Sequence, residues 1–521
     1  MKQIVIRNLL ILLLLLTIAT VPGCAVNPVT GRQELALVSE SQEIRLGEEH
    51  YGPSRQMQGG DYVVDPGLNE YVKNVGLRLA AVSDRPKLPY DFVVLNNSVP
   101  NAWALPGGKV AINRGLLLEL KNEAELAAVL GHEIVHAAAR HGAKSIERGM
   151  LMQGAILTAG IAVRDSEYVN FVIGGAQIAA GLIQQKYSRS AEREADYYGM
   201  LYMSRAGYNP QAAVDLQELF VRLSKSRDPN WLAGLFASHP PSKERVEANR
   251  ATALSLPSRG KLGAEIYQRK IAHLHKTREA YQAHDKGRQT LSKGKIGPAL
   301  TLIQKAIKIE PREATFYALR GDVRFKQGRY QDALKNYNQA LNLNNQFFYF
   351  FLQRGLTKTR LGDRPGARRD LESSKRLLPT ATAYNALGNL YLADGDRQKA
   401  KQYFKTVAGS KSEPGRQALR SLIRLDLPEN PSLYLKVRTG LSSRRYLIAQ
   451  ISNPTPVPVR NIQLTIRYRD SRGQLRVSTR TIQGIIAPGR VVQVSLGVGP
   501  IKDTAALRDV WVRVVRAQVA E

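Results

Sequence analysis

A 34-residue period constrains this chain more than any other feature of its sequence. Gly294, Gly328, Gly362 and Gly395 fall at intervals of 34, 34 and 33 residues. Gly287, Gly321, Gly355 and Gly388 each precede one of these by seven, and Ala299, Ala333, Ala367 and Ala400 each follow by five. Met four times, such a period predicts a helix–turn–helix repeat, with small residues where paired helices cross and large ones filling the space between. A stacked array of this kind has a concave groove for a peptide or a partner protein. The run Phe347, Phe348, Tyr349, Phe350 and Phe351 cannot all face inward at helical phase, so some are expected in the core and one or two are candidate groove anchors.

Tyr384, Leu387, Gly388 and Tyr391 fit the first helix of a tetratricopeptide repeat. From Pro431 the period changes to two: 433–438, 462–468, 491–496 and 510–515 read as strands, with Pro488-Gly489 among the turn signals. About 90 residues with six or seven short strands predict a small β-sandwich, immunoglobulin-like in pattern. Arg467, Arg469, Arg476 and Arg480 fall on its outward phase.

At the other end, Lys2 and Arg7 precede an apolar run, Leu9 to Leu16, that is too short to span a bilayer and suits a secretory signal peptide. The run leads to Val21-Pro22-Gly23-Cys24, and Cys24 is the only cysteine. A single cysteine excludes a disulfide framework and every multi-cysteine metal motif. The tetrapeptide resembles the lipobox of bacterial lipoproteins, in which cleavage leaves a lipidated cysteine. Pro22 departs from the usual small residue there, and Ala25 rather than an aspartate leans toward the outer membrane by analogy with lipoprotein sorting.

The chemistry lies between these ends. His132-Glu133-Ile134-Val135-His136 is an HExxH motif in an Ala- and Leu-rich helical stretch, 123–140. Residues i and i+4 share a helix face, so His132 and His136 can both reach one metal ion, with Glu133 placed to take a proton from water. His141 does not extend the motif to the three-histidine form, because Ala139 and Gly142 stand where that form needs glycine and histidine. Glu192 and Asp196, again four apart on a helical stretch, are candidates for a carboxylate ligand and for a residue that orients a ligand. Two apolar stretches, 149–163 and 168–184, lie between the two motifs and read as core or lid helices.

With these residues in view, the chain resembles the HtpX-like and CAAX-prenyl-protease zinc metallopeptidases, in particular the periplasmic β-barrel-assembly-enhancing protease type with tetratricopeptide repeats. Asn27-Pro28-Val29-Thr30-Gly31, Asn101 to Gly108, the HExxH, Glu192 to Asp196, and Ser238-His239-Pro240-Pro241 with Arg245 match in order over about 27–255. The resemblance implies one Zn2+ per chain on His132, His136 and Glu192, with Glu133 as general base and Asp196 orienting a ligand. It places His239 and Arg245 near substrate or oxyanion, and His239 in some relatives blocks the water site. Asn101, Ala102, Trp103 and Ala104 would pair with an extended substrate as an added strand.

The expected chain is multidomain: signal peptide (1–23), lipid-anchored tether (24–30), mainly α zincin-type metalloprotease domain with a small β-sheet (31–255), helical linker (256–279), α-solenoid of tetratricopeptide repeats (280–415), linker (416–430) and β-sandwich (431–521). Its net charge of +31 would alone point to nucleic acid. Residues 1–260 carry 27 basic and 25 acidic side chains, so +29 of it belongs to 261–521. With a signal peptide and no nucleic-acid motif, that charge is read as a docking surface for anionic lipid, lipopolysaccharide or an acidic partner. The expected function is an envelope zinc metalloendopeptidase, lipid-anchored on the periplasmic side. It would act on misfolded or stalled proteins, with repeats recruiting substrate or an assembly machine. The alternative is a latent-protease chaperone or scaffold.

Overall fold

The computed structural model describes residues 24–158, 186–225, 234–470, 472–501 and 504–520. The signal peptide expected at 1–23 lies outside these residues, as does the stretch expected at 168–184. Of the stretch at 149–163, the backbone through Thr158 continues a helix. The chain divides into two compact units, one running through Thr357 with Arg376–Leu378, the other Lys358–Lys375 with the chain from Pro379.

The first unit opens with a hairpin, β1 (Cys24–Val26) antiparallel to β2 (Gln33–Leu35). Asn27 Oδ1 accepts from the Val29 and Thr30 N–H groups, the Asx turn expected of such a side chain. Val29 is buried in the main core and Asn27 Nδ2 donates to the Ala139 carbonyl. Residues 24–30, expected as a tether, are thus folded onto the domain, because the turn residue satisfies its own backbone and Val29 has an apolar face to cover.

Next come α1 (Glu40–Met57), whose capping box joins Ser39 and Gln42, and α2 (Pro66–Ala81). A three-stranded sheet follows in the order β3 (Asp91–Leu95), β5 (Lys109–Asn113), β4 (Ala102–Leu105), with β3 parallel and β4 antiparallel to β5. Strand alternation sends Trp103 and Leu105 toward Tyr51 of α1. Ala102 and Ala104 face the other way, into the cluster of Leu126, Leu130 and Ile134 from α3 (Glu123–Ala138). The longer helices that follow are α4 (His141–Thr158), α5 (Arg189–Arg205), α6 (Gln211–Lys225) and α7 (Lys243–Ser255).

The helical linker expected at 256–279 is replaced by α8 (Ala264–Ser292), 29 residues without a break. Tyr267, Ile271 and Leu274, at i, i+4 and i+7, are buried in the same core as α2 and α3, and Tyr267 Oη donates to the Leu117 carbonyl at 2.6 Å. The apolar stripe makes this segment core rather than connector. The repeats then follow as α9 (Ile296–Ile309), α10 (Ala314–Lys326), α11 (Tyr330–Leu343) and α12 (Phe348–Arg360), the last crossing into the second unit. Gly294 and Gly328 sit at helix ends with φ 76° and 74°, left-handed values that favour glycine. A Cβ on Gly321 would stand 2.6 Å from the Tyr337 ring, which is why a small residue recurs there.

The early repeats are joined to the protease part by specific contacts. The Arg114 guanidinium lies 3.5 Å from the Tyr281 ring centroid, and Tyr281 Oη and Asn96 Nδ2 both donate to Glu313. The Phe348 N–H donates to Gln56 Oε1, and Phe347 packs where a Cβ on Gly60 would be 2.8 Å away. Phe350 is fully buried. The aromatic run therefore serves the solenoid core and the protease contact.

In the second unit, α13 (Arg364–Leu377) spans the division and leads to α14 (Ala381–Ala393) and α15 (Arg397–Val407), with Gly388 under Phe404. The linker expected at 416–430 is largely α16 (Glu413–Asp426). Ala418 and Leu425 pack with Ala400 and Phe404, whereas Ile423 and Leu427 enter the core of the following sheets, so both faces are occupied. Among the described residues, six antiparallel strands form two sheets, β10 (Val491–Ser495)–β7 (Leu447–Ser452)–β6 (Lys436–Leu441) and β11 (Trp511–Val519)–β8 (Val459–Arg469)–β9 (Leu475–Ile482). Both contribute to one cluster that includes Ala449, Ile451, Ile462, Leu464, Ile466 and Val514. Among the described residues, no helix is long and apolar enough to cross a membrane.

Candidate metal centre

Helix α3 starts at Asn122, whose side chain accepts from the Glu125 N–H, and it is buried along its length except at half-buried His132. Helix α5 starts at Ser188, whose hydroxyl accepts from the Ala191 N–H. The two helices cross at paired glycines. A Cβ on Gly199 would stand 3.0 Å from the His132 nitrogen, and one on Gly131 3.1 Å from the Gly199 carbonyl oxygen. Glu192 lies seven residues, about two turns, before Gly199 and so shares the face turned to α3.

That crossing gathers the expected donors. His132, His136, Glu192 and His239 each present one donor atom, all within 4.8 Å of one another. His132 Nε2 and His136 Nε2 are 3.1 Å apart. Glu192 lies 3.5 Å from His132 Nε2 and 3.4 Å from His136 Nε2. Two imidazoles and a carboxylate from two helices are a fitting donor set for zinc. Glu133, 1% exposed, leaves Oε2 without a hydrogen-bond partner beside this cluster. A buried bare carboxylate oxygen is what a proton acceptor there requires.

His239 follows the short turn Leu235–Ser238 and joins the cluster, Nδ1 2.9 Å from Glu192 Oε1 and Nε2 3.6 Å from Glu133 Oε1. Asp196 Oδ1 accepts from His132 Nδ1 at 3.0 Å. Arg245 lines the pocket beside His239, and its guanidinium spans Asp196, the Glu192 carboxylate at 2.9 Å and the Pro240 carbonyl at 3.1 Å. Asn101, Ala102, Trp103 and Ala104 are all nearly buried, with β4 at one edge of its sheet.

The charge states follow from these neighbours. Burial pushes His136 well below the ordinary imidazole value, so its ring is neutral with a lone pair to offer. Burial opposes the charged form of His132 as well, but hydrogen bonds to Asp196 and Glu192 outweigh it and raise it to about 10. The carboxylates of Glu192 and Asp196 stay ionised despite burial, held down chiefly by His239 and by Arg245 respectively. Burial raises Glu133 above the usual carboxylate range.

Tyr187 was not singled out in the sequence, and His141 was weighed there only as a third histidine of an extended motif. The Tyr187 ring stacks on His136, centroids 3.9 Å apart and planes at 18°, and His141 stands behind His136. A pocket lined by Val129, Met200, Met203, Leu216 and Phe220 opens beside His132 and His239. Tyr187 is adjacent to Ser188, the cap of α5, and that adjacency to a ligand helix was the only available signal.

Residues 66–253 match the model described as peptidase family M48, residues 321–362 match a TPR repeat and residues 381–413 a tetratricopeptide repeat. Over 225 residues the chain is 33% identical to a Vibrio cholerae protein provisionally named beta-barrel assembly-enhancing protease, covering 42% of this chain and 45% of that one. Over 223 residues it is 34% identical to the mitochondrial metalloendopeptidase OMA1 of Schizosaccharomyces pombe, covering 42% and 63%. Over 347 residues it is 24% identical to the beta-barrel assembly-enhancing protease of Escherichia coli, covering 61% and 70%. The match thus spans less than two thirds of the first two relatives.

Proposed function

We propose that this chain, which carries a peptidase family M48 domain and tetratricopeptide repeats, is a zinc-dependent metalloendopeptidase of the cell envelope. The observation that carries this reading is the meeting of His132, His136 and Glu192 beside the buried, unpartnered oxygen of Glu133. Zinc, when bound, supplies Lewis acidity toward a carbonyl oxygen and toward water. The chain supplies the rest. Glu133 accepts the proton of the attacking water and returns it to the departing amine. Asp196, clamped by Arg245, fixes the His132 ring. The apolar pocket beside His239 takes an apolar substrate side chain, and β4 offers its edge to an extended backbone.

The substrates are misfolded or stalled envelope proteins, and the repeats recruit them or an assembly machine. The names of two relatives and the tetratricopeptide repeats support this. Cys24 carries the lipid anchor, on the pattern Val21-Pro22-Gly23-Cys24, with the periplasmic side of the outer membrane as its site. The two C-terminal sheets on one core are read as a β-sandwich. Arg467, Arg469, Arg476 and Arg480 are exposed on it and support docking to an anionic surface.

His239 favours a second reading, a latent protease whose repeats carry a chaperone or scaffold role, because its ring nitrogen stands among the metal donors. Casein hydrolysis by the purified full-length protein, lost with a zinc chelator and restored by Zn2+, supports the first reading. No hydrolysis at any metal loading, in wild type or His239→Ala, leaves the scaffold reading. Clients trapped by Glu133→Gln then identify substrates. Binding to anionic vesicles that is indifferent to salt would count against electrostatic docking.

A further inference from the structure

His136 is held from behind by two residues that do not face the metal position. Its Nδ1 lies 2.8 Å from His141 Nδ1, and His141 Nε2 lies 3.2 Å from Glu194 Oε1. His141 is 3% exposed. With a metal ion on His136 Nε2, hydrogen-bond chemistry leaves one consistent assignment. A neutral His136 that offers its Nε2 lone pair to a metal carries its proton on Nδ1 and must donate it. His141 Nδ1 is the acceptor, so the His141 proton sits on Nε2 and is donated to Glu194. One carboxylate thereby sets the tautomer of two rings in series. His132 needs no intermediary, since its Nδ1 meets Asp196 directly.

The backbone is shaped for this contact. In an unbroken helix, a residue five beyond His136 would point about 140° away from it. Helix α3 instead ends at Ala138, and Arg140 takes φ 60°, a left-handed value rare for a residue with a side chain. Surroundings must impose such a conformation. Here the Arg140 guanidinium is gripped by fully buried Glu43 at 3.1 Å, by Glu147 at 3.6 Å and by the Val38 carbonyl. The turn at Arg140 starts α4 at His141 and brings that ring beside His136.

We infer that His141 and Glu194 are positioning residues, a relay that fixes the tautomer and orientation of His136 for metal binding. The inference rests on the zinc reading above, and its test separates the two. Zinc affinity of the full-length protein is measured by chelator competition for wild type, His141→Phe, Glu194→Leu, Glu194→Gln and the double variant His141→Phe/Glu194→Leu. The absorption spectrum of each cobalt-substituted protein and the melting temperature of each metal-free form are recorded alongside.

The relay predicts a 10- to 100-fold loss of zinc affinity for His141→Phe and for Glu194→Leu, with a shifted cobalt spectrum. Glu194→Gln keeps an acceptor oxygen and is expected to stay within about threefold of wild type. Groups acting in series are non-additive, so the double variant is expected to bind no more weakly than His141→Phe alone. Affinities within threefold of wild type for both single variants overturn the relay while leaving the zinc reading intact. Additive losses, or losses that track a lowered melting temperature in Glu194→Gln as much as in Glu194→Leu, reduce the pair to ordinary packing and also overturn it. A wild-type protein that binds no zinc ends both readings.

Discussion

Arg245 grips Asp196 through two parallel hydrogen bonds, Nε to Oδ2 and Nη2 to Oδ1, each 2.7 Å. Both side chains are nearly buried, at 9% and 10% exposed. Removing one partner of a buried pair leaves the other charge uncompensated, at a cost of about 3–5 kcal/mol. Arg245→Met is expected to lower stability by that order in denaturant titration. Arg245→Lys restores only part, because an ammonium cannot fork across a carboxylate. A loss under about 0.5 kcal/mol, the range of an ordinary surface change, would deny the clamp its role.

Glu133 has one oxygen buried without a partner beside the donor cluster. Glu133→Gln is isosteric but cannot take a proton. Peptide hydrolysis is expected to fall by at least about 10²-fold, with zinc content staying near one per chain by elemental analysis. Activity close to wild type rules out Glu133 as the base.

His239 Nδ1 lies 3.3 Å from His132 Nε2 and 2.9 Å from Glu192 Oε1, so its ring stands among the candidate metal donors. His239→Ala is therefore expected to raise chelator-sensitive casein hydrolysis above wild type. A fall instead would mean that the ring assists the reaction and does not block it.

The contact of Gly199 with the His132 backbone sets how closely α5 approaches α3. Gly199→Ala places a methyl 3.0 Å from the His132 nitrogen, which can yield only if the helices part. Overpacking of this kind costs about 1–3 kcal/mol. Zinc affinity is expected to fall with it, because Glu192 moves with α5. Unchanged melting and unchanged affinity would show that the crossing has slack.

Asp322 accepts from the hydroxyls of Tyr337 at 2.7 Å and Tyr349 at 2.9 Å. Burial pushes its carboxyl up to about 6, against the pull of those hydroxyls and of His284. A raised folded-state value means a stabilising contribution present below about pH 4 and lost as pH rises through about 6. The rise from an ordinary 3.8 to about 6 corresponds to ~3 kcal/mol, reduced to on the order of 1–2 kcal/mol for a partly exposed group. Asp322→Asn keeps the acceptor oxygen. It is expected to match wild type at pH 4 and to exceed it by that amount at pH 7.5, read from melting curves. A difference that does not change with pH would remove Asp322 from the account.

The sequence by itself determined whatever repeats along the chain. The spacing of Gly294, Gly328, Gly362 and Gly395 marks helix ends, and His132 with His136 shares a face because four residues are about one turn. These are short-range relations that depend only on helix and strand geometry. Tertiary structure alone decided what meets across the chain. Glu192 reaches His136 because Gly131 and Gly199 let two helices touch. The segment at 256–279 is core because its Tyr267–Ile271–Leu274 stripe has α2 and α3 to cover. His141 stands behind His136 only because Glu43, nearly 100 residues away in the chain, holds Arg140 in a turn that no local preference supplies. Contacts over such separations leave no period in a sequence, since packing fixes them and spacing does not.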